Sequence, residues 1–202
     1  MNRAIFFVSG WIAASLMAAA MALSAVAATT ETPAKFIESP PAMRTPLLLV
    51  NADFEAGLDR WTTSASDARA YEFAVDTTVF HSGKQSIRIR SVAGERDGSV
   101  YQVMPIAALR GTTVELSGWL KTENATGGGA ALTLRVFGAD NRLLEYNLMH
   151  HGPVKGTTDW TRYSIPVKVS KNATDLEIGV TLNNKGTVWL DDLELNVISH
   201  QR

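Results

Sequence analysis

The sequence of 202 residues contains no cysteine, and charged side chains make up only 19% of it. Without thiols the chain can form no disulfide, no cysteine-ligated zinc or iron–sulfur site, and no cysteine nucleophile. The formal net charge is −1 and there is no block of basic residues. Because phosphate contacts need clustered Lys and Arg, nucleic acid is not an expected partner. The sequence therefore excludes disulfide scaffolds and argues against DNA- or RNA-binding proteins.

Residues 1–28 have the pattern of an export signal. Met1–Arg3 carries positive charge, an uncharged apolar run follows, and Ala25-Val26-Ala27 has the small-x-small pattern of a cleavage site. The alternative is an uncleaved membrane anchor, since the run is just long enough to span a bilayer. We expect cleavage after Ala27 or Ala28, no membrane span in the mature chain, and a periplasmic or secreted protein. N-terminal sequencing that found Met1 on the native protein would contradict this expectation.

Residues 29–46 contain four of the seven prolines of the chain. Proline interrupts regular hydrogen-bonded structure, so this segment is predicted to be an extended tether. Residues 47–199 then remain as one domain of ordinary size. With 46% hydrophobic residues in the whole chain, this part can bury a single core.

Apolar and polar side chains alternate with a period of two after residue 46, and no segment of a dozen residues has helical spacing. Residues 113–122 and 130–138 are the clearest examples, and turn sequences such as Gly127-Gly128-Gly129 separate about ten segments of this kind. Only Ile106–Leu109 suggests a helical turn. The pattern predicts an all-β fold, an antiparallel β-sandwich.

Several short motifs follow one another between Asn51 and Val197: NADFEAGLDRW, HSGKQSIRIRS, GTTDWTRYSIPVKV and GTVWLDDLEL. In this order they resemble the jelly-roll carbohydrate-binding modules of the CenC type, which belong to the galactose-binding-domain-like group. The resemblance implies a non-catalytic β-sandwich that docks on polysaccharide. Such domains are usually appended to a glycoside hydrolase, whereas no enzyme accompanies this one, so we expect a stand-alone form.

Glu55 follows the first strand, and Asp191 and Asp192 lie in the last, so neighbouring terminal strands would bring these carboxylates together. Such oxygen ligands, with a turn carbonyl such as that of Lys84, suit Ca²⁺. The resemblance also implies a structural calcium ion where the FE motif meets the final acidic pair. The alternative is that Glu55 and Asp191 only accept backbone N–H groups from turns. Strand parity predicts one shared face for Trp189, Asp191, Leu193 and Leu195.

Trp119 is the candidate centre of a carbohydrate site, because strand parity places its indole with Glu115 and other polar residues. Aromatic rings stack on the C–H face of sugars, and flanking polar groups bind the hydroxyls. Arg135 is expected on the equivalent face of the next strand. The alternative is that Trp119 packs beneath a long loop. The other candidate ligand-binding residues are Gln102, Tyr146, Asn147 and His150.

The sequence thus predicts an exported, non-catalytic domain that binds a polysaccharide or an envelope glycan through the face of Trp119 and Arg135. A structural or protein-binding adaptor in the periplasm that uses the same face is the second hypothesis. An unrecognised glycoside-acting hydrolase is the third. It is disfavoured because Glu55 and Asp191 lie at the terminal edge, and because Ser117 lacks the glycine that a nucleophile elbow requires.

Overall fold

The computed structural model describes residues 45–47, 49–93, 96–149 and 152–200. The chain divides into two units, residues 1–38 and 39–202, and every described residue belongs to the second. The predicted signal and most of the predicted tether lie outside the described residues. Within the described ranges, none of the helices has the length and apolar character needed to cross a membrane.

The described part of the chain is built almost wholly from antiparallel strands, as the alternation predicted. Two short 3₁₀ helices, Ala107–Leu109 and Ala139–Asn141, interrupt them, and the first confirms the predicted helical turn. The strands are β1 Thr45–Leu47, β2 Thr62–Ala65, β3 Tyr71–Asp76, β4 Ser86–Ser91, β5 Asp97–Pro105, β6 Thr112–Gly138, β7 Leu143–Asn147, β8 Val154–Lys168, β9 Ala173–Asn183 and β10 Thr187–His200.

Two layers share the long strand β6. Its first half pairs with β8 and with β10, which continues through β4 to β3 and also pairs with β1. Its second half pairs with β7 and with β9, which continues through β5 to β2. We call these the β10 layer and the β9 layer. The predicted antiparallel β-sandwich is confirmed.

The core lies between the layers and contains the inward side chains of both halves of β6. Leu116 and Leu120 from the first half, and Leu132 and Leu134 from the second, are fully buried in one hydrophobic cluster. Residues that alternate with these leucines therefore point away from the core, towards the outer surface of their own layer. Each layer consequently has an outer face, and the two outer faces look in opposite directions.

Strand β6 changes layer at residues 123–129, where its backbone leaves regular β geometry. Asn124, Gly127 and Gly129 have positive φ angles of 52°, 61° and 73°. Glycine adopts such angles without steric cost. A Cβ atom on Gly129 would also lie 2.4 Å from the carbonyl oxygen of Val154. The glycine-rich segment, interpreted from the sequence as a turn between two strands, is thus the crossing point of one continuous strand.

A β-bulge in β10 reverses which side chains face the core. Before it, Val188 and Leu190 are fully buried, and after it Leu193 and Leu195 are buried in the same cluster. The pairing with β6 shifts between Asp191 and Glu194, because one extra residue is inserted there. The predicted common face of Trp189, Asp191, Leu193 and Leu195 is therefore wrong: Trp189 and Asp191 lie on the outer side of the β10 layer.

The bulge depends on the absence of a side chain at Gly118. A Cβ atom there would lie 2.2 Å from Cδ2 of Leu193, which is 3% exposed. We expect Gly118→Ala to lower the free energy of unfolding by about 1–3 kcal/mol, because overpacking displaces Leu193. Gly152→Ala is the control, since nothing lies within 4 Å of its added carbon. Chemical denaturation measures both variants, and equal stability would contradict this account of the bulge.

Candidate functional site

The indole of Trp119 lies on the outer face of the β10 layer, where the turn of residues 77–85 covers part of it. The imidazole of His81 stacks on this indole with ring centroids 3.9 Å apart and planes 16° from parallel. The rings of Trp160 and His81 have centroids 5.9 Å apart and planes inclined by 68°. Trp119 is partly buried. The side chain of His81 thus covers one face of the indole. This agrees with the alternative that Trp119 packs beneath a loop, although the loop that covers it is the 77–85 turn.

The 77–85 turn is anchored at its start by Asp76, a buried residue at the end of β3. Its carboxylate accepts the backbone N–H groups of Thr78 at 2.9 Å and Val79 at 3.1 Å, and Nε1–H of Trp189 at 2.9 Å. Burial alone would raise the pKa of Asp76, but the hydrogen bonds from Trp189, Thr78 and Val79 outweigh it and lower the pKa to about 2. The turn is therefore fixed over Trp189.

The other end of the turn is held by Asp191 and Glu55. Asp191 is fully buried and accepts the backbone N–H groups of His81 at 2.8 Å, Ser82 at 3.2 Å and Asp192 at 2.9 Å. Burial raises its pKa to about 6, aided by the negative charge of Asp192. Oε1 of Glu55 accepts the N–H groups of Lys84 at 2.9 Å and Gln85 at 3.3 Å.

Each of the acids predicted to bind calcium thus contacts this turn. Asp192 contacts it as well, since its carboxylate lies 2.6 Å from Nδ1 of His81 and accepts the hydroxyl of Ser82 at 2.9 Å. Among the described residues no group of three or more His, Asp and Glu side chains is arranged to hold a metal ion. The donor set nevertheless has the chemistry that Ca²⁺ prefers, and the buried charge of Asp191 lacks a cationic partner among the contacts described for it.

A groove of about 470 Å³ lies on the outer face of the β9 layer, opposite Trp119. Thr133 and Arg135 of β6 lie beside β9 in its floor, because their cross-strand partners are Gly179 and Glu177. Leu148 and Pro153 line one side. The residues that line the groove are Asp97, Gly128, Gly129, Ala131, Thr133, Arg135, Leu148, Pro153, Thr181 and Asn183.

Arg135 forms an ion pair with Glu177 at one end of this groove. Their side chains are 30% and 16% exposed. The cross-strand partner of Arg135 on the other side is Tyr146 of β7, which is 55% exposed. Directly opposed residues of antiparallel strands project from the same face. A phenol ring and an ion pair therefore lie side by side on the outer face of the β9 layer.

The structure does not bring together all residues of the predicted ligand site. Arg135 and Tyr146 share the β9 layer, whereas Trp119 and Glu115 lie on the outer face of the β10 layer. The expectation that Trp119 and Arg135 occupy one face is wrong, because the two halves of β6 belong to opposite layers. His150 lies outside the described residues.

Two other candidates hold the fold together. Gln102 points inwards beside Ile178 and is 8% exposed; its amide nitrogen donates to the carbonyl of Val50 at 3.0 Å. The amide of Asn147 donates to the carbonyl of Pro166 at 2.9 Å. Tyr101 and Val103 are among the residues of β5 that face outwards instead, but apolar residues occur on both faces of this strand, so its parity in the sequence does not tell the faces apart. No sequence signal indicated that Asp97 and Asn183 would line the groove.

Comparison with known proteins agrees with this architecture. Residues 47–187 match the family model CBM_4_9, described as a carbohydrate binding domain. The chain belongs to this family. It is also 29% identical over 140 residues to the HTH-type transcriptional regulator YbfP of Bacillus subtilis (strain 168), covering 68% of this chain. It spans about half of that relative, 47% of its length.

Solved carbohydrate-binding modules have the same fold at low sequence identity. The C-terminal family 22 module of Clostridium thermocellum Xyn10B is 14% identical, with a TM-score of 0.53 over 75% of this chain and 93% of that one. The CBM22-1 xylan-binding domain of Paenibacillus barcinonensis Xyn10C is 14% identical, with a TM-score of 0.51 over 69% and 86%. A family 16 module is 18% identical, with a TM-score of 0.55 over 74% and 99%.

Proposed function

We propose that this protein is an exported, non-catalytic domain that binds a carbohydrate in the groove of the β9 layer. The observation that carries the proposal is the groove itself, a depression of about 470 Å³ on antiparallel strands with Arg135 at one end. Membership of a carbohydrate-binding family supports the ligand class. The export pattern of residues 1–28 supports a periplasmic or secreted location, where a polysaccharide or envelope glycan is available.

The groove offers sugar hydroxyls both donors and acceptors of hydrogen bonds. The guanidinium of Arg135 donates, the carboxylate of Asp97 accepts, and the amide of Asn183 does both. Tyr146 provides an exposed ring beside Arg135, on which the apolar face of a pyranose can stack. An open groove on a sheet leaves much of the ligand in water, so we expect modest affinity.

The ionisation of the acids supports a binding role without catalysis. A glycosidase needs one carboxyl group kept protonated near neutral pH beside a second carboxylate. Glu177, at the end of the groove, is paired with the guanidinium of Arg135. Asp191, whose pKa is raised to about 6, lies on the opposite layer beneath the 77–85 turn. The carboxyl group with the raised pKa is therefore remote from the groove.

Replacement of Tyr146 tests the groove. We expect Tyr146→Ala to weaken retention on a glycan array or in affinity gels by about threefold or more, because stacking is lost, with an unchanged melting temperature. Phe80→Ala is the matched control, since Phe80 is 39% exposed in the 77–85 turn. If Trp119→Ala abolished retention while Tyr146→Ala preserved it, the ligand would bind on the β10 layer and the proposal for the groove would be wrong.

We also propose that Ca²⁺, held by Glu55, Asp191 and Asp192 with a turn carbonyl such as that of Lys84, stabilises the 77–85 turn. The support is the donor chemistry and the buried charge of Asp191. We expect saturating Ca²⁺ to raise the melting temperature by about 5 °C over EGTA. Asp191→Asn should lose this rise and Asp59→Asn should keep it. Identical melting in Ca²⁺ and EGTA would show that backbone N–H groups suffice.

A further inference from the structure

A second, smaller pocket lies on the β9 layer, on the other side of the Arg135–Glu177 ion pair from the groove. Its volume is about 220 Å³. Two cross-strand pairs form it, Phe137 with Asp175 and Glu177 with Val103, and the 3₁₀ turn adds Asn141. Since Glu177 lines the pocket and its partner Arg135 lines the groove, a ligand lying in the groove could extend a substituent into the pocket.

Apolar side chains form two opposite walls of this pocket. Phe137 stands on β6 at one side of β9, and Val103 stands on β5 at the other. Val103 is 53% exposed, and Pro105 continues the apolar surface along the same face of β5. Aliphatic and aromatic surface held open to water in this way favours a ligand group with apolar character.

The floor between these walls is negatively charged. Asp175 and Glu177 lie on the same face of β9, two residues apart. The guanidinium of Arg135 compensates Glu177. Among the described residues no cationic side chain forms an ion pair with Asp175. The pocket therefore retains a negative charge between a phenyl ring and a valine.

This combination distinguishes between two classes of occupant. A neutral alkyl group would contact Phe137 and Val103 but would remove water from the carboxylate of Asp175 without replacing its hydrogen bonds, which is unfavourable. An alkylammonium group supplies the missing charge, and its methylene groups contact the apolar walls while the cation interacts with the phenyl ring. Only an organic cation can both neutralise the carboxylate of Asp175 and contact the apolar side chains of Phe137 and Val103.

We propose that this smaller pocket, lined by Val103, Phe137, Asn141, Asp175 and Glu177 and called here the Asp175 pocket, binds a protonated amine. The domain would therefore prefer glycans that carry free amino groups. This preference rests on the proposed carbohydrate-binding function, whereas the binding of the amine does not. Among the described residues, those that line the Asp175 pocket and those that line the groove are different, so the amine and the saccharide are recognised by different side chains.

The pocket is tested with small probes of equal shape. Butylammonium and 1-butanol are titrated into the protein, and backbone amide shifts of residues 103, 137 and 175 are followed by NMR. We expect butylammonium to bind about three- to tenfold more tightly than butanol, and to lose this advantage in Asp175→Asn and at high salt. Asp59→Asn, which removes a carboxylate elsewhere on the surface, should behave like the wild type.

Equal binding of the two probes, absence of binding by either, or an unchanged butylammonium affinity in Asp175→Asn would overturn the proposal. Phe137→Leu serves as a second variant, and it should weaken butylammonium more than butanol because the aromatic face is lost. Circular dichroism confirms that both variants are folded.

A pair of matched oligosaccharides tests the preference among glycans. The glucosamine tetramer should bind more tightly than the N-acetylglucosamine tetramer at a pH where its amines are protonated, and Asp175→Asn should remove the difference. Equal affinity for the two tetramers would overturn the preference and leave the carbohydrate-binding function intact. If butylammonium binds as expected but no glycan does, the proposed function fails and the Asp175 pocket stands.

Discussion

The sharing of β6 between the two layers is the constraint on which the rest of the structure depends. A strand of 27 residues that pairs with β10 and β8 in its first half, and with β9 and β7 in its second, places half of its side chains in the common core. The others must face outwards from opposite layers. Trp119 and Arg135 lie on one strand with the same parity, yet they point in opposite directions for this reason.

The β10 layer uses its outer face for stability. Asp191, just before the bulge, points outwards, and the 77–85 turn closes over its carboxylate through the backbone N–H groups of His81 and Ser82. Stacking of His81 on Trp119 completes the cover. Polar groups that would be costly to bury are satisfied by neighbouring backbone, and an indole that looked suited to a ligand packs against its own chain.

The outer face of the β9 layer carries a groove and a smaller pocket, and the side chains that line them are of two kinds. Towards Asp97 and Asn183 the groove is lined by small and polar residues. Beyond the ion pair of Arg135 and Glu177, apolar residues alternate with acids. A rigid antiparallel sheet holds both regions at a constant spacing, which allows one ligand to be recognised through two different chemistries.

The fold class could be predicted because alternation with a period of two is a local property, and it correctly assigned the buried leucines of both halves of β6. The site could be predicted only in part. Gln102 has the right chemistry for a sugar ligand, but the inward face of β5 was recognisable only from its pairing with Ile178. In β10, one extra residue reverses every side chain beyond it, and no residue type announces such an insertion.

What the sequence determined by itself is therefore the all-β class, the alternation within most of the strands, and the resemblance to carbohydrate-binding modules. The tertiary structure alone decided which layer each alternating face belongs to, and hence that Tyr146 joins Arg135 while Trp119 joins His81. The physical reason is that parity is set between neighbouring residues, whereas the direction of a face is set by pairing between strands far apart in the chain.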